Sequence, residues 1–125
     1  MHKDLVLIPD DQPGVLARIG QAVGGAGINI EGVSAFTGQG KGVIHLLFAQ
    51  ADEAHRVLET AGFDVRAARD VVVVDVADEP GELGAISAKL ADAGINIEQA
   101  YIATNNRIVL VVDDSDRARD VLGKS

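Results

Sequence analysis

The sequence predicts an α+β fold made of two βαββαβ units in tandem, the second without its last strand. The first observation is a repeated phrase: AGINIE occurs at Ala26–Glu31 and again at Ala93–Glu98. The second is that the residues before it repeat without a gap. Asp11, Pro13, Gly14, Leu16 and Ile19 recur as Asp78, Pro80, Gly81, Leu83 and Ile86. Further on, ADEAHRVL (51–58) lies over SDRARDVL (115–122) after a short deletion. A repeat of this extent marks a tandem duplication, with one domain over 1–69 and a second over 70–125.

Each element follows from local pattern. Leu5–Ile8 is a short apolar run suited to a buried strand. Leu16, Ile19, Val23 and Ala26 recur at spacings of three and four, which predicts a helix with one apolar face. Asp11 and Pro13 stand at its start and Gly27 at its end. Ile28 and Ile30 alternate with Asn29 and Glu31, opening a strand that runs to about Thr37. GQGKG (38–42) is a hairpin tip, and Val43–Phe48 is the returning strand. A second helix is expected over Asp52–Ala61, stopped by Gly62, and a fourth strand over Phe63–Arg69.

The second copy is expected to run through a strand over Val71–Val76, a helix over Pro80–Ala93 and a strand over Ile95–Thr104. A turn at Asn105–Asn106, a strand over Ile108–Val112 and a helix over Ser115–Leu122 complete it. No Gly or Pro separates Arg66 from Asp75, so one extended segment is expected to link the copies.

Composition excludes several classes. The net charge is −8, and no two Lys or Arg residues are adjacent, which argues against a nucleic-acid surface. There is no cysteine, hence no disulfide and no thiolate metal site. The apolar run near the N-terminus is too short for a signal peptide or a membrane span, which favours the cytoplasm and no membrane partner. The strands LVLI, VIHLLF, VVVV and IVLVV are apolar at nearly every position. A sheet with helices on one face and water on the other would alternate. A second layer is therefore expected over the other face, with the two units packed together and the chain at least a homodimer. The missing last strand leaves a Val-rich edge, which soluble proteins seldom leave open.

The turn PDDQPG (9–14) and its twin VADEPG (76–81) each join a strand to a helix start. Free N–H groups and a partial positive charge at a helix start suit a carboxylate. Gly14 and Gly81 leave the backbone open to a ligand, while Asp10 and Asp11, or Asp78 and Glu79, suit an ammonium. Together these describe an α-amino acid. Asn29 and Asn96 carry both a donor and an acceptor for either end of such a ligand. A purely structural reading stands beside this one: Asp11 and Asp78 cap their helices, Pro and Gly shape the turns, and the two Asn fix the strand entries.

Nothing in the sequence points to catalysis. His2, His45 and His55 have no metal-ligand spacing, and His45 within VIHLLF reads as a core or interface residue. No Ser sits in a nucleophile elbow. GQGKG lies in a hairpin rather than between strand and helix, so it reads as a turn and not a phosphate cradle. The acids of VDDSD (112–116) read as helix capping and a solvated rim. No cofactor and no metal are expected.

The pattern D-x-P-G-x-L, helix, G-I-N-I within a βαββαβ unit resembles the ACT domain, a ferredoxin-like regulatory module attached to many amino-acid-pathway enzymes. Both copies match. The resemblance implies an amino acid bound at an interface between two units, near the first strand-to-helix turn. By position the implied contacts are Asp11, Gln12, Gly14, Val15, Leu16 and Asn29, with Asp78, Glu79, Gly81, Glu82, Leu83 and Asn96 in the twin. Serine-sensing members carry a His four positions before the Pro, where this chain has Pro9 and Val76, which points away from serine. Val15, Leu16 and Leu83 favour an apolar amino acid, and the differences Val15/Glu82 and Gln12/Glu79 imply unequal sites.

The function implied is a non-enzymatic cytoplasmic sensor, a homodimer that binds an amino acid and regulates a separate partner, such as an amino-acid-pathway enzyme. The alternative is a regulatory or assembly subunit of a biosynthetic enzyme with a vestigial ligand site. Acetolactate synthase small subunits resemble the first unit, but their second half differs in kind, whereas here it repeats the first.

Overall fold

A computed structural model of the chain describes residues 1–123. The chain divides into two compact units, Met1–Arg69 and the segment from Asp70 onward. The first contains β1 (Lys3–Leu7), α1 (Val15–Gly25), β2 (Gly32–Gly38), β3 (Lys41–Phe48), α2 (Ala51–Thr60) and β4 (Val65–Asp70). Its strands lie in the order β4-β1-β3-β2. β3 runs antiparallel to both neighbours, with Leu5 opposite Leu46 and Val33 opposite the same Leu46. The second contains β5 (Val72–Asp75), α3 (Glu82–Asp92), β6 (Ile97–Ala103), β7 (Arg107–Val112) and α4 (Ser115–Leu122), with strand order β6-β7-β5. Among the described residues no strand follows α4, so β5 has no counterpart of β4 beside it within the unit. Both units are ferredoxin-like, the second short of its last strand.

Each unit buries one apolar face of its sheet under its two helices. In the first, Leu5, Leu7, Ile44, Leu46 and Phe48 form one cluster with Val15, Ile19 and Val23 of α1 and Ala51, Ala54 and Leu58 of α2. In the second, Val72, Val74, Ile108, Leu110 and Val112 do the same with Ile86, Leu90 and Ala118. Alternate strand residues point to opposite faces, and the other face is buried as well: Val6 and Leu47 in the first unit, Val109 and Val111 in the second. That is why the strands do not alternate in hydropathy.

The repeated AGI marks a helix stop. Gly27 and Gly94 take φ of 76° and 74°, a left-handed turn that residues with a Cβ rarely adopt. The next N–H reaches back five residues: Ile28 to Val23 O and Ile95 to Leu90 O, each at 2.9 Å. Both pairs of side chains are buried. This is the Schellman pairing with its hydrophobic contact. Ala61-Gly62-Phe63 ends α2 the same way, with Phe63 N–H on Leu58 O at 3.0 Å. Ile28 therefore belongs to the helix stop, and β2 begins only at Gly32. Leu16 is a second departure from expectation. It is 51% exposed, because α1 buries Val15, Ile19 and Val23 instead.

Candidate functional site

The turn from β1 to α1 is stitched to the tip of the β2–β3 hairpin. Asp11 N–H donates to Gly40 O at 2.9 Å and Gly42 N–H to Pro9 O at 2.8 Å. Lys41 Nζ donates to Asp10 Oδ1. This hydrogen bond, reinforced by the charge of Lys41, holds the Asp10 carboxyl below its ordinary value of 3.8. GQGKG is thus the clamp on the turn: Gln39 and Gly40 both take positive φ at the hairpin tip.

The capping reading of Asp11 and Asp78 does not hold. The residues preceding the helices are Gly14 and Gly81, with φ of 90° and 92°, and neither helix has a side-chain cap. The first N–H groups of α1 and α3 are left without an intrahelical acceptor. A Cβ built at Gly14 or Gly81 would meet nothing within 4 Å. The left-handed backbone, rather than crowding, is what calls for glycine here.

Each turn borders a cleft. The first, of about 270 Å³, is lined by Asp11, Gln12, Gly14, Val15 and Leu16 from the turn and helix, together with Pro9 and Asp10. Its far wall comes from the hairpin, through Ala35, Phe36, Thr37, Gly42 and Ile44. The second, of about 160 Å³, is lined by Asp78, Glu79, Glu82 and Leu83, with Ile102, Asn106, Arg107 and Ile108 opposite. Gly81 borders α3 but is not in the lining of that cleft. Leu16 and its twin Leu83, 49% exposed, turn toward these clefts instead of the cores.

Asn29 and Asn96 lie outside both linings, exposed at the far ends of α1 and α3. Asn96 is held by its backbone: its N–H donates to Asp113 Oδ1 at 3.1 Å, and its carbonyl accepts from Asp113 N–H at 3.2 Å. The hairpin walls escaped the sequence reading. The only signal for them is strand register, which sets Ala35 opposite Ile44 and Ile102 opposite Ile108.

The helix starts beside the clefts differ in charge. No acid stands in the first turn of α1, whereas Glu82 opens α3. Arg107, beside the second cleft, donates from Nε and Nη2 to the carbonyl and hydroxyl of Thr104 at 2.8 and 3.0 Å. Away from the clefts, His45 and Asp4 are buried together, and His2 meets Glu31 at 3.0 Å. Among the described residues, no three His, Asp or Glu side chains stand together as a metal site, and no helix is long and apolar enough to cross a membrane.

The comparisons with known proteins fit this architecture. A family model described as the ACT domain matches residues 5–61 and again 71–123. No curated protein matches the chain. Among solved structures, protein BT0572 from Bacteroides thetaiotaomicron matches with a TM-score of 0.85 at 24% identity, over 97% of this chain and 85% of that one. The regulatory subunit of aspartate kinase from Thermus thermophilus gives 0.74 at 24% identity, over 98% and 88%. Its counterpart from Thermus flavus gives 0.69 at 22%, over 98% and 90%. At these identities the likeness is one of fold.

Proposed function

Because the chain belongs to the ACT domain family and carries two copies in tandem, we propose that it is an amino-acid-binding regulatory protein acting on a separate partner. The observation that carries this is the first cleft. It joins a helix start with free N–H groups to carboxylates and an apolar wall. The ligand carboxylate would lie at the start of α1, where those groups and the helix dipole favour an anion. Asp11 and the amide of Gln12 would face the ammonium, and Val15, Leu16 and Ile44 the side chain. Asn29 and Asn96, outside these linings, would contribute only across an interface between ACT units, which is where we place binding.

The mechanism is linkage. A ligand shifts its protein only by the difference in its affinity for two states, and a partner reads that shift. We propose a homodimer in the cytoplasm, with an amino-acid-pathway enzyme as the partner and no catalysis of its own. The Thermus proteins, described as regulatory subunits of aspartate kinase, are consistent with a partner of that class.

A thermal-shift screen against the twenty amino acids tests this. A ligand at a hundred times its Kd adds about 2.7 kcal/mol. A stabilising amino acid whose effect is lost in Asp11→Ala is the expected outcome. No response to any of the twenty would abandon sensing in favour of an assembly subunit, to be sought by pull-down of the partner enzyme.

A further inference from the structure

We infer that the two clefts are unequal: the first takes one amino acid with an aliphatic side chain per chain, in room left by Ala35, and Ile102 closes the equivalent room in the second. This rests on the amino-acid-binding reading above and adds to it the ligand class, the stoichiometry and the residue that sets them.

The equivalence of Ala35 and Ile102 follows from register. Leu7 and Val74 each stand four residues before the Asp of the repeated turn, and they oppose Ile44 and Ile108. Ala35 opposes that same Ile44, and Ile102 that same Ile108. Directly opposed residues in an antiparallel pair share a face. Here it is the face that carries the helices, since Ile44 and Ile108 belong to the two cores. So one copy offers a methyl where the other offers a butyl group that is 77% exposed and borders the cleft. The second cleft has about 160 Å³ against about 270 Å³ for the first. Asn106, two residues before Ile108 as Gly42 is before Ile44, also lines it.

The two helix starts differ in charge as well, although the second lining also holds Arg107 beside its acids. A ligand carboxylate at the start of α1 meets no acid in the first turn, while at α3 it would meet Glu82. Like charges at a helix start cancel the benefit of its dipole. The first cleft has an apolar wall of its own, from Val15, Leu16, Phe36 and Ile44. A zwitterion with an uncharged aliphatic side chain matches it on both counts.

Isothermal titration of the full chain with each of the twenty amino acids tests the inference. Expected is binding of L-leucine, L-isoleucine or L-valine at one per chain. Ala35→Ile should weaken that event about tenfold or more, the scale of one or two misplaced methylene groups in an apolar pocket. Ala35→Gly should retain it, with circular dichroism confirming that both variants fold. Two equal events in the wild-type chain, or unchanged affinity in Ala35→Ile, would overturn the inference and leave the sensor reading standing. Selective binding of a charged or polar amino acid would do the same. Failure of all twenty to bind would instead remove the sensor reading, and this inference with it.

Discussion

The Nδ1–H of His45 donates to Oδ2 of Asp4 at 2.8 Å, tying β3 to β1 on the sheet face turned away from the helices. Asp4 is fully buried and His45 is 6% exposed. Removing Asp4 leaves the buried ring N–H of His45 without this acceptor, at a cost of about 1–3 kcal/mol. Asp4→Ala is expected to destabilise the chain on that scale in urea unfolding. The double variant Asp4→Leu, His45→Leu should recover much of the loss, and a double-mutant cycle measures the coupling.

Two glycines in the same stretch should respond to alanine with opposite sign. Gly14 sits at φ 90° ahead of α1, where a Cβ costs roughly 1–2 kcal/mol. Gly20 lies within α1, and a Cβ there meets nothing within 4 Å. Gly20→Ala is therefore expected to stabilise by about 0.5–1 kcal/mol. Thermal melts of the two variants give the comparison directly.

The repeated phrase separates into a structural part and a candidate functional part. Ile28, buried against Val23 in the helix stop, should cost about 2–5 kcal/mol when cut to alanine. Asn29 is exposed, and its alanine variant should change stability by less than about 0.5 kcal/mol. If Asn29 contacts a ligand across an interface, Asn29→Ala instead lowers ligand affinity at unchanged melting temperature of the free protein. Melting curves with and without ligand distinguish the two effects.

The Asp10–Lys41 pair makes a prediction in pH. Lys41 depresses the folded-state pKa of Asp10 below 3.8. The stabilisation is therefore present above that value and fades as pH falls through the lower folded-state pKa. Asp10 is exposed, so the effect on stability is small. Lys41→Met should return the Asp10 carboxyl to its ordinary range, as read by a carbon-detected NMR titration of its side chain.

Much of this was legible in the sequence because the signals are local. The duplication, the periods of the helices and the Gly that ends each one act within a few residues, and the βαββαβ order follows from them. The turn PDDQPG likewise identified one rim of the first cleft. The opposite rim was not legible, since nothing in Ala35 or Ile102 alone marks it as a cleft wall. Nor did the sequence separate helix caps from ligand groups at Asp11 and Asp78. That depended on Gly14 and Gly81 turning left-handed and taking the cap position themselves.

The sequence by itself determined two copies of one unit, the helix stops and a chain with no Cys chemistry. These depend on backbone preference and side-chain periodicity, which neighbours in the chain settle among themselves. Only the tertiary structure decided that Leu16 faces a cleft, that Lys41 clamps Asp10 and that Asp4 meets His45. The last two pairs lie 31 and 41 residues apart. What joins them is strand register, and register is set by burial of a whole sheet face at once, since a slip of one residue would turn every side chain to the wrong side.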